Sequence, residues 1–102
     1  MSEYVSIKDD VLKKLEENLS EIRERFGIET IGLFGSVSRG EDTPDSDVDI
    51  LYTFRKGEST LSNLLNLGEY LESLFSRKVD LVAKDWISPY IRSEIIAEVI
   101  EV

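Results

Sequence analysis

The sequence has no cysteine and no histidine among its 102 residues. The missing cysteines exclude disulfide bonds and argue against redox chemistry. The missing histidines remove the commonest general base and the commonest transition-metal ligand. Any metal site must therefore be built from oxygen ligands, which favours magnesium or manganese over zinc.

Long hydrophobic runs are absent as well. No apolar stretch approaches the roughly 20 residues that a membrane helix requires, and residues 1–4 lack the basic and apolar regions of a signal peptide. We therefore expect a cytoplasmic protein without membrane association, although other compartments also tolerate a cysteine-free chain. The length suits one domain, spanning residues 1–102, with one hydrophobic core.

Positive charge is scarce. Twelve lysines and arginines stand against 21 acidic residues, and the formal net charge is −9. Such a surface repels a phosphate backbone, so we expect no direct binding of nucleic acid. A basic protein partner is favoured only slightly, because acidity also keeps proteins in solution.

Hydrophobic spacing predicts an α/β (α+β) fold with the element order α-β-(turn)-β-α-β-α. We expect the strands to form a small mixed sheet of three or more strands flanked by helices. The predicted elements are a helix at residues 7–26, strands at 28–34 and 47–54, a helix at 61–75, a strand at 77–83 and a final helix over 88–99. Ser6 and Asp9 resemble a capping box before the first helix, and Gly27 is a natural stop after it.

Two apolar segments could mediate contacts with a partner protein or with a second copy of the chain. Trp86-Ile87 and Tyr90-Ile91 near the C-terminus are expected to cover the core, with a patch for a partner as the alternative. The leucine-rich helix at 61–75 offers a face through which a homodimer would form.

Asp47 and Asp49 are the first candidates for chemistry. Two residues apart on a strand, they lie on one face with Cα atoms roughly 6.6 Å apart. Their carboxylates can then converge on two metal ions about 3.5–4 Å apart, the spacing of two-metal phosphoryl-transfer sites. The alternative is a solvated, aspartate-rich turn, which is common in proteins.

The turn at Gly35 and Ser36 strengthens the first interpretation. Glycine lets the backbone approach a ligand closely, and Ser36 can donate its hydroxyl and its N–H to a phosphate oxygen. The glycine spacing of residues 35–40 is that of a P-loop, but Glu41-Asp42 replace its Lys-Ser/Thr pair. An EF-hand beginning at Asp45 would have Ile50 where that loop requires glycine. An ordinary Gly-Ser turn is the remaining alternative.

Gly35-Ser36, followed by Arg39-Gly40 and then Ser46-Asp47-Val48-Asp49, resembles the motif of the DNA polymerase β-type nucleotidyltransferase superfamily. Within that superfamily the short chain resembles the minimal nucleotidyltransferases, the MntA-like antitoxins paired with HEPN-domain toxins. The resemblance implies that Asp80, on the strand after the intervening helix, is the third metal-binding and catalytic carboxylate beside Asp47 and Asp49. It also implies nucleotide binding by Gly35, Ser36, Arg39 and Ser46.

The same resemblance implies an activity. It is the transfer of AMP from ATP, with two Mg²⁺ ions or with Mn²⁺, to a protein acceptor. The expected acceptor is a tyrosine of a HEPN ribonuclease toxin, which the antitoxin silences in this way. Two alternatives stay open: an antitoxin that masks its toxin by contact alone, and a subunit of a nucleotidyltransferase for small molecules.

Overall fold

The computed structural model describes residues 3–102, and it confirms the predicted α/β architecture. The elements in chain order are α1 (Lys8–Glu17), α2 (Leu19–Phe26), β1 (Ile28–Phe34), α3 (Gly35–Ser38), β2 (Val48–Phe54), α4 (Leu61–Phe75), β3 (Val79–Ala83), a 3-10 turn (Lys84–Trp86), α5 (Pro89–Glu98) and β4 (Ile100–Glu101). Within residues 3–102, no helix is both long and apolar enough to cross a membrane.

The sheet is mixed and has the order β3-β2-β1-β4. Strand β1 is antiparallel to both β2 and β4, whereas β2 is parallel to β3. The parallel pair requires a crossover, which α4 supplies. As a result, the start of β2 lies beside the end of β1 and beside the start of β3.

The prediction of one helix over residues 7–26 was wrong, because the segment forms two helices that meet at Asn18. The Asn18 side-chain amide donates a hydrogen bond to the Lys14 carbonyl, 2.8 Å away. Such side-chain bonds compete with the regular helical pattern and favour a break. The second helix ends at Gly27 as predicted, with a left-handed φ of 67°.

The two faces of the sheet carry different clusters. The alternation of β2 sends Val48, Ile50 and Tyr52 into the main core, which α1, α2 and α4 cover. The opposite face holds a smaller cluster of Phe34, Leu51 and Ile87, against which α5 packs. Asp49 shares this second face with Leu51, because alternate residues of a strand point the same way.

Sequence reasoning missed β4, whose two residues are too few to display a period. It pairs with β1 at Gly32, where a Cβ atom would lie 2.7 Å from Val99 Cγ2. The expectation that Trp86-Ile87 and Tyr90-Ile91 cover the core is confirmed for Ile87, which is buried. It was wrong for Trp86 and Tyr90, which are 88% and 93% exposed, and for Ile91, which is also exposed.

Candidate active site

The start of the second strand brings the predicted acids together. Asp49 lies opposite Asp80 in the parallel β2–β3 register, so the two side chains leave the same face of the sheet. Asp47 comes directly before β2 and is half-buried, as is Asp49, whereas Asp80 is exposed. The fold therefore places all three predicted carboxylates at one end of the sheet, and their catalytic roles stay a prediction.

The charge state of Asp49 reflects this neighbourhood. Burial raises the pKa of its carboxyl above the ordinary value, and the negative charges of Asp80, Asp47 and Glu98 raise it further. Arg39 opposes the rise. A carboxylate disfavoured by its neighbours in this way is a good candidate ligand for a cation, because the cation removes the repulsion.

Gly35 is required by the position of Asp49. Its φ is 76°, a conformation that L-residues rarely adopt, and a Cβ atom there would lie 2.0 Å from Asp49 Oδ2. The turn is closed by Ser38, whose hydroxyl donates to the Gly35 carbonyl across 2.6 Å. The missing side chain of Gly35 thus makes room for the carboxylate in the middle of the acid cluster.

The other predicted nucleotide-binding residues fall into two groups. Ser36 follows Gly35 in α3, and Arg39 comes directly after this helix. The charge of Arg39 acts on Asp49, whereas a contact between Ser36 and nucleotide stays a prediction. Ser46 belongs to the preceding loop, where its hydroxyl accepts a hydrogen bond from the Thr43 N–H at 2.8 Å. Its side chain therefore shapes the loop before Asp47, and a contact with nucleotide stays a prediction.

The N-terminal segment holds this loop in place through Asp42, which is buried. The carboxylate accepts hydrogen bonds from the hydroxyls of Tyr4 and Ser6 and from the Ile7 N–H. Burial alone would raise the pKa of Asp42, but these hydrogen bonds bring it below the ordinary value. Ser6 also accepts from the Lys8 N–H at 3.1 Å, but Ile7 is the N-cap residue and no side chain caps the helix, so the predicted capping box of Ser6 and Asp9 is not formed.

Arg77 fixes the same loop from the other side. Its Nη1 atom donates to the carbonyls of Ser46 and Thr43 at 2.9 and 3.2 Å, and its Nη2 donates to the Tyr4 hydroxyl at 2.8 Å. These contacts join residues more than 30 positions apart. No local pattern in the sequence could have revealed them.

Glu98, in the last turn of α5, is a further site residue that sequence reasoning missed. Its Oε2 accepts from the Gly35 N–H at 2.8 Å, and its Oε1 accepts from Arg39 Nη1 at 2.5 Å. Burial alone would raise the pKa of Glu98, but these two donors bring it below the ordinary value. An acid at a helix C-terminus is disfavoured by the helix dipole. Its position near the end of the predicted last helix was therefore the sequence signal that could have pointed to Glu98.

The donor atoms of the site fit a hard divalent cation. They are carboxylate oxygens, the ligands that magnesium and manganese prefer, and the sequence offers no histidine or cysteine to attract zinc. Across the described range 3–102, no three acidic side chains converge closely enough to enclose an ion. Like charges repel, which accounts for carboxylates that do not converge even though the strand register pairs Asp49 with Asp80. A shared cation would offset that repulsion.

Two grooves lie away from the acids. They measure about 450 and 870 Å³, one beside Phe54 and Trp86 and the other beside Arg25 and Tyr70. Neither is lined by an acid of the cluster.

Comparisons with known proteins show the family to which the chain is similar. Residues 12–102 match the family model described as the nucleotidyltransferase domain. The protein adenylyltransferase MntA of Thermococcus cleftensis is 43% identical over 94 residues, which is 92% of this chain and 94% of that protein. The solved structure of a candidate minimal nucleotidyltransferase shares 33% identity with a TM-score of 0.77, covering 91% of this chain and 94% of that one.

More distant solved structures share the fold. A toxin–antitoxin crystal structure with AMP-PNP aligns over 92% of this chain and 70% of that one, with a TM-score of 0.63 and 23% identity. A tri-AMPylated HEPN toxin of Shewanella oneidensis in complex with its MNT antitoxin gives a TM-score of 0.55 at 21% identity, over 92% of this chain and 66% of the other.

Proposed function

This chain belongs to the nucleotidyltransferase domain family, and we propose that it transfers AMP from ATP to a side chain of a partner protein. The observation that carries the proposal is the pairing of Asp49 with Asp80, beside Asp47 and against the Gly35 turn. The 43% identical relative is named a protein adenylyltransferase, and the match covers nearly the whole of both chains.

The acceptor that we propose is a tyrosine of a HEPN-type toxin, which makes this protein an antitoxin. Support comes from the fold that it shares with an MNT antitoxin in complex with an AMPylated HEPN toxin. The net charge of −9 suits a basic partner.

The site residues have different proposed roles, according to their positions. Asp47, Asp49 and Asp80 would hold Mg²⁺, which supplies charge neutralisation of the triphosphate and activation of the attacking hydroxyl. The Gly35 N–H, Ser36 and Arg39 would bind and orient phosphate oxygens. The acceptor oxygen forms a bond to the α-phosphorus, the bond to pyrophosphate breaks, and the hydroxyl proton passes to solvent.

Incubation with ATP labelled at the α-phosphate, magnesium and the product of the adjacent gene tests this proposal. We expect label on the partner, a partner mass increased by AMP, and neither result with the Asp49→Asn variant. The matched control is Asp85→Asn, an equal change at an exposed acid near the far end of β3.

Three outcomes would contradict the proposal. A tight complex that never acquires label would identify an antitoxin that acts by contact alone. Label on a small molecule in place of the partner would identify a small-molecule transferase. A partner labelled equally by the wild type and Asp49→Asn would remove the acid cluster from the reaction.

A further inference from the structure

Glu98 makes an anion-like contact with the turn at Gly35. Its two carboxylate oxygens bind two different donors, the Gly35 N–H at 2.8 Å and Arg39 Nη1 at 2.5 Å. The Glu98 side chain is only 26% exposed, so this is a packed arrangement. A carboxylate that bridges a backbone N–H and a guanidinium uses the same charge-assisted hydrogen bonds as a phosphate group.

These are the donors on which the proposed nucleotide binding depends. Gly35 and Arg39 cannot give the same N–H groups to Glu98 and to a triphosphate at once. The negative charge of Glu98 also faces Asp49, where it adds to the repulsion within the acid cluster. An incoming triphosphate would therefore meet an occupied set of donors and an additional like charge.

We propose that Glu98 is a positioning residue that holds the phosphate-binding turn in the nucleotide-free protein and is displaced from Gly35 and Arg39 when ATP binds. The inference rests on the proposed nucleotide-binding role of these two residues. Glu98 keeps the turn ordered and its donors paired until the stronger, multiply charged anion replaces it. The displacement frees the end of α5, which contacts α3 and leads directly into β4.

The Glu98→Gln variant tests the inference. Glutamine keeps the length and the oxygen that accepts from Gly35, but it loses the charge that attracts Arg39. We expect the Kd for AMP-PNP with magnesium, measured by calorimetry, to fall about five- to tenfold. The Kd for adenosine should not change, because adenosine carries no phosphate. In the labelling reaction, KM for ATP should fall more than kcat changes.

The control is Glu94→Gln, the same substitution one turn earlier on an exposed part of α5. It should leave the Kd for AMP-PNP unchanged. If the melting temperature of the nucleotide-free protein falls for Glu98→Gln but not for Glu94→Gln, that result supports a stabilising contact of Glu98 with Gly35 and Arg39. If Glu98→Gln disturbs the fold, Glu98→Asp serves as a second variant, because aspartate is too short to reach both donors. We expect the same decrease in the Kd for AMP-PNP.

The failure of this inference can be distinguished from failure of the proposed function. If the wild type binds AMP-PNP and Glu98→Gln binds it equally or more weakly, Glu98 does not compete with the triphosphate, and the proposed function stands. If binding weakens and more magnesium restores it, Glu98 is a metal ligand and the inference is overturned. If the wild type binds no AMP-PNP, the proposed function itself fails.

Discussion

Replacement of Asp49 by asparagine should make the metal-free protein more stable while it abolishes AMP transfer. Asp49 is half-buried, and its pKa is raised by burial and by the charges of Asp80 and Asp47. A raised carboxyl pKa means that the folded state disfavours the ionised form. At neutral pH the ionised Asp49 therefore lowers the free energy of unfolding, and a neutral side chain of the same shape removes that cost.

The magnitude follows from the strand register. Neighbouring strands lie about 4.8 Å apart, so about 5 Å is the closest approach that the register of Asp49 and Asp80 sets for their carboxylates. Two charges at that distance repel by about 3 kcal/mol at an effective dielectric of about 20, and by about 1 kcal/mol in water. Asp80 is exposed, so the lower value applies. With a similar contribution from Asp47, we expect a gain of about 1–2 kcal/mol, which raises Tm by at least about 4 °C.

Thermal unfolding followed by circular dichroism measures this gain, with Asp85→Asn as the matched control. Within residues 3–102, the Asp85 carboxylate forms no ion pair, and its substitution should leave Tm nearly unchanged. The stability of the wild type should decline as pH rises from about 4 through the raised pKa of Asp49. The difference in Tm between wild type and Asp49→Asn should therefore increase over that pH range.

Magnesium should reverse the order of stability. Millimolar magnesium should raise the Tm of the wild type by mass action on the folded state, and it should raise the Tm of Asp49→Asn far less. An Asp49→Asn variant that melts at or below the wild-type temperature in the absence of metal would refute the reasoning. Melting curves of the wild type that do not respond to millimolar magnesium or manganese would refute the metal site.

The remaining predictions concern the turn and the buried acid. Gly35→Ala should reduce labelling at least tenfold and destabilise the fold by more than about 1 kcal/mol, because its Cβ would lie 2.0 Å from Asp49 Oδ2. The control is Gly57→Ala: Gly57 has a φ of 84° and no neighbouring atoms at the Cβ position, so this variant measures the cost of backbone strain alone. Asp42→Asn should cost about 1–3 kcal/mol at neutral pH, measured by urea unfolding. Because the folded pKa of Asp42 is lowered, that cost should disappear as pH falls below about 4.

Sequence reasoning succeeded where the signals were local. The segment from Gly35 to Asp49 is one turn and loop between antiparallel strands, so β1 and β2 bring its two ends together directly. Asp80 depended on the resemblance, since the parallel β2–β3 register cannot be read from spacing alone. The turn of α3, the helix at 61–75 and the proline-led start of α5 were likewise predicted from short patterns.

The interactions that sequence reasoning missed are between distant residues. Glu98 reaches Arg39 across 59 positions, and Arg77 reaches Tyr4 across 73. The break at Asn18 was missed for another reason, because the hydrophobic spacing continues through it and only a side-chain hydrogen bond marks the change. The exposure of Trp86 could not be predicted either, because tryptophan side chains are highly buried on average.

Three departures from local rules meet at this site, and their coincidence argues for function independently of any resemblance. Gly35 adopts a left-handed backbone, Asp49 is a carboxylate that its neighbours disfavour, and Glu98 is an acid at the unfavourable end of a helix. The repulsion at Asp49 and the helix dipole at Glu98 each lower stability when taken alone, and the backbone at Gly35 is free of strain only while the residue is glycine. All three residues contact or influence one another directly. Strain of this kind persists where binding or catalysis requires it, because an uninvolved surface would relieve it by simple substitution.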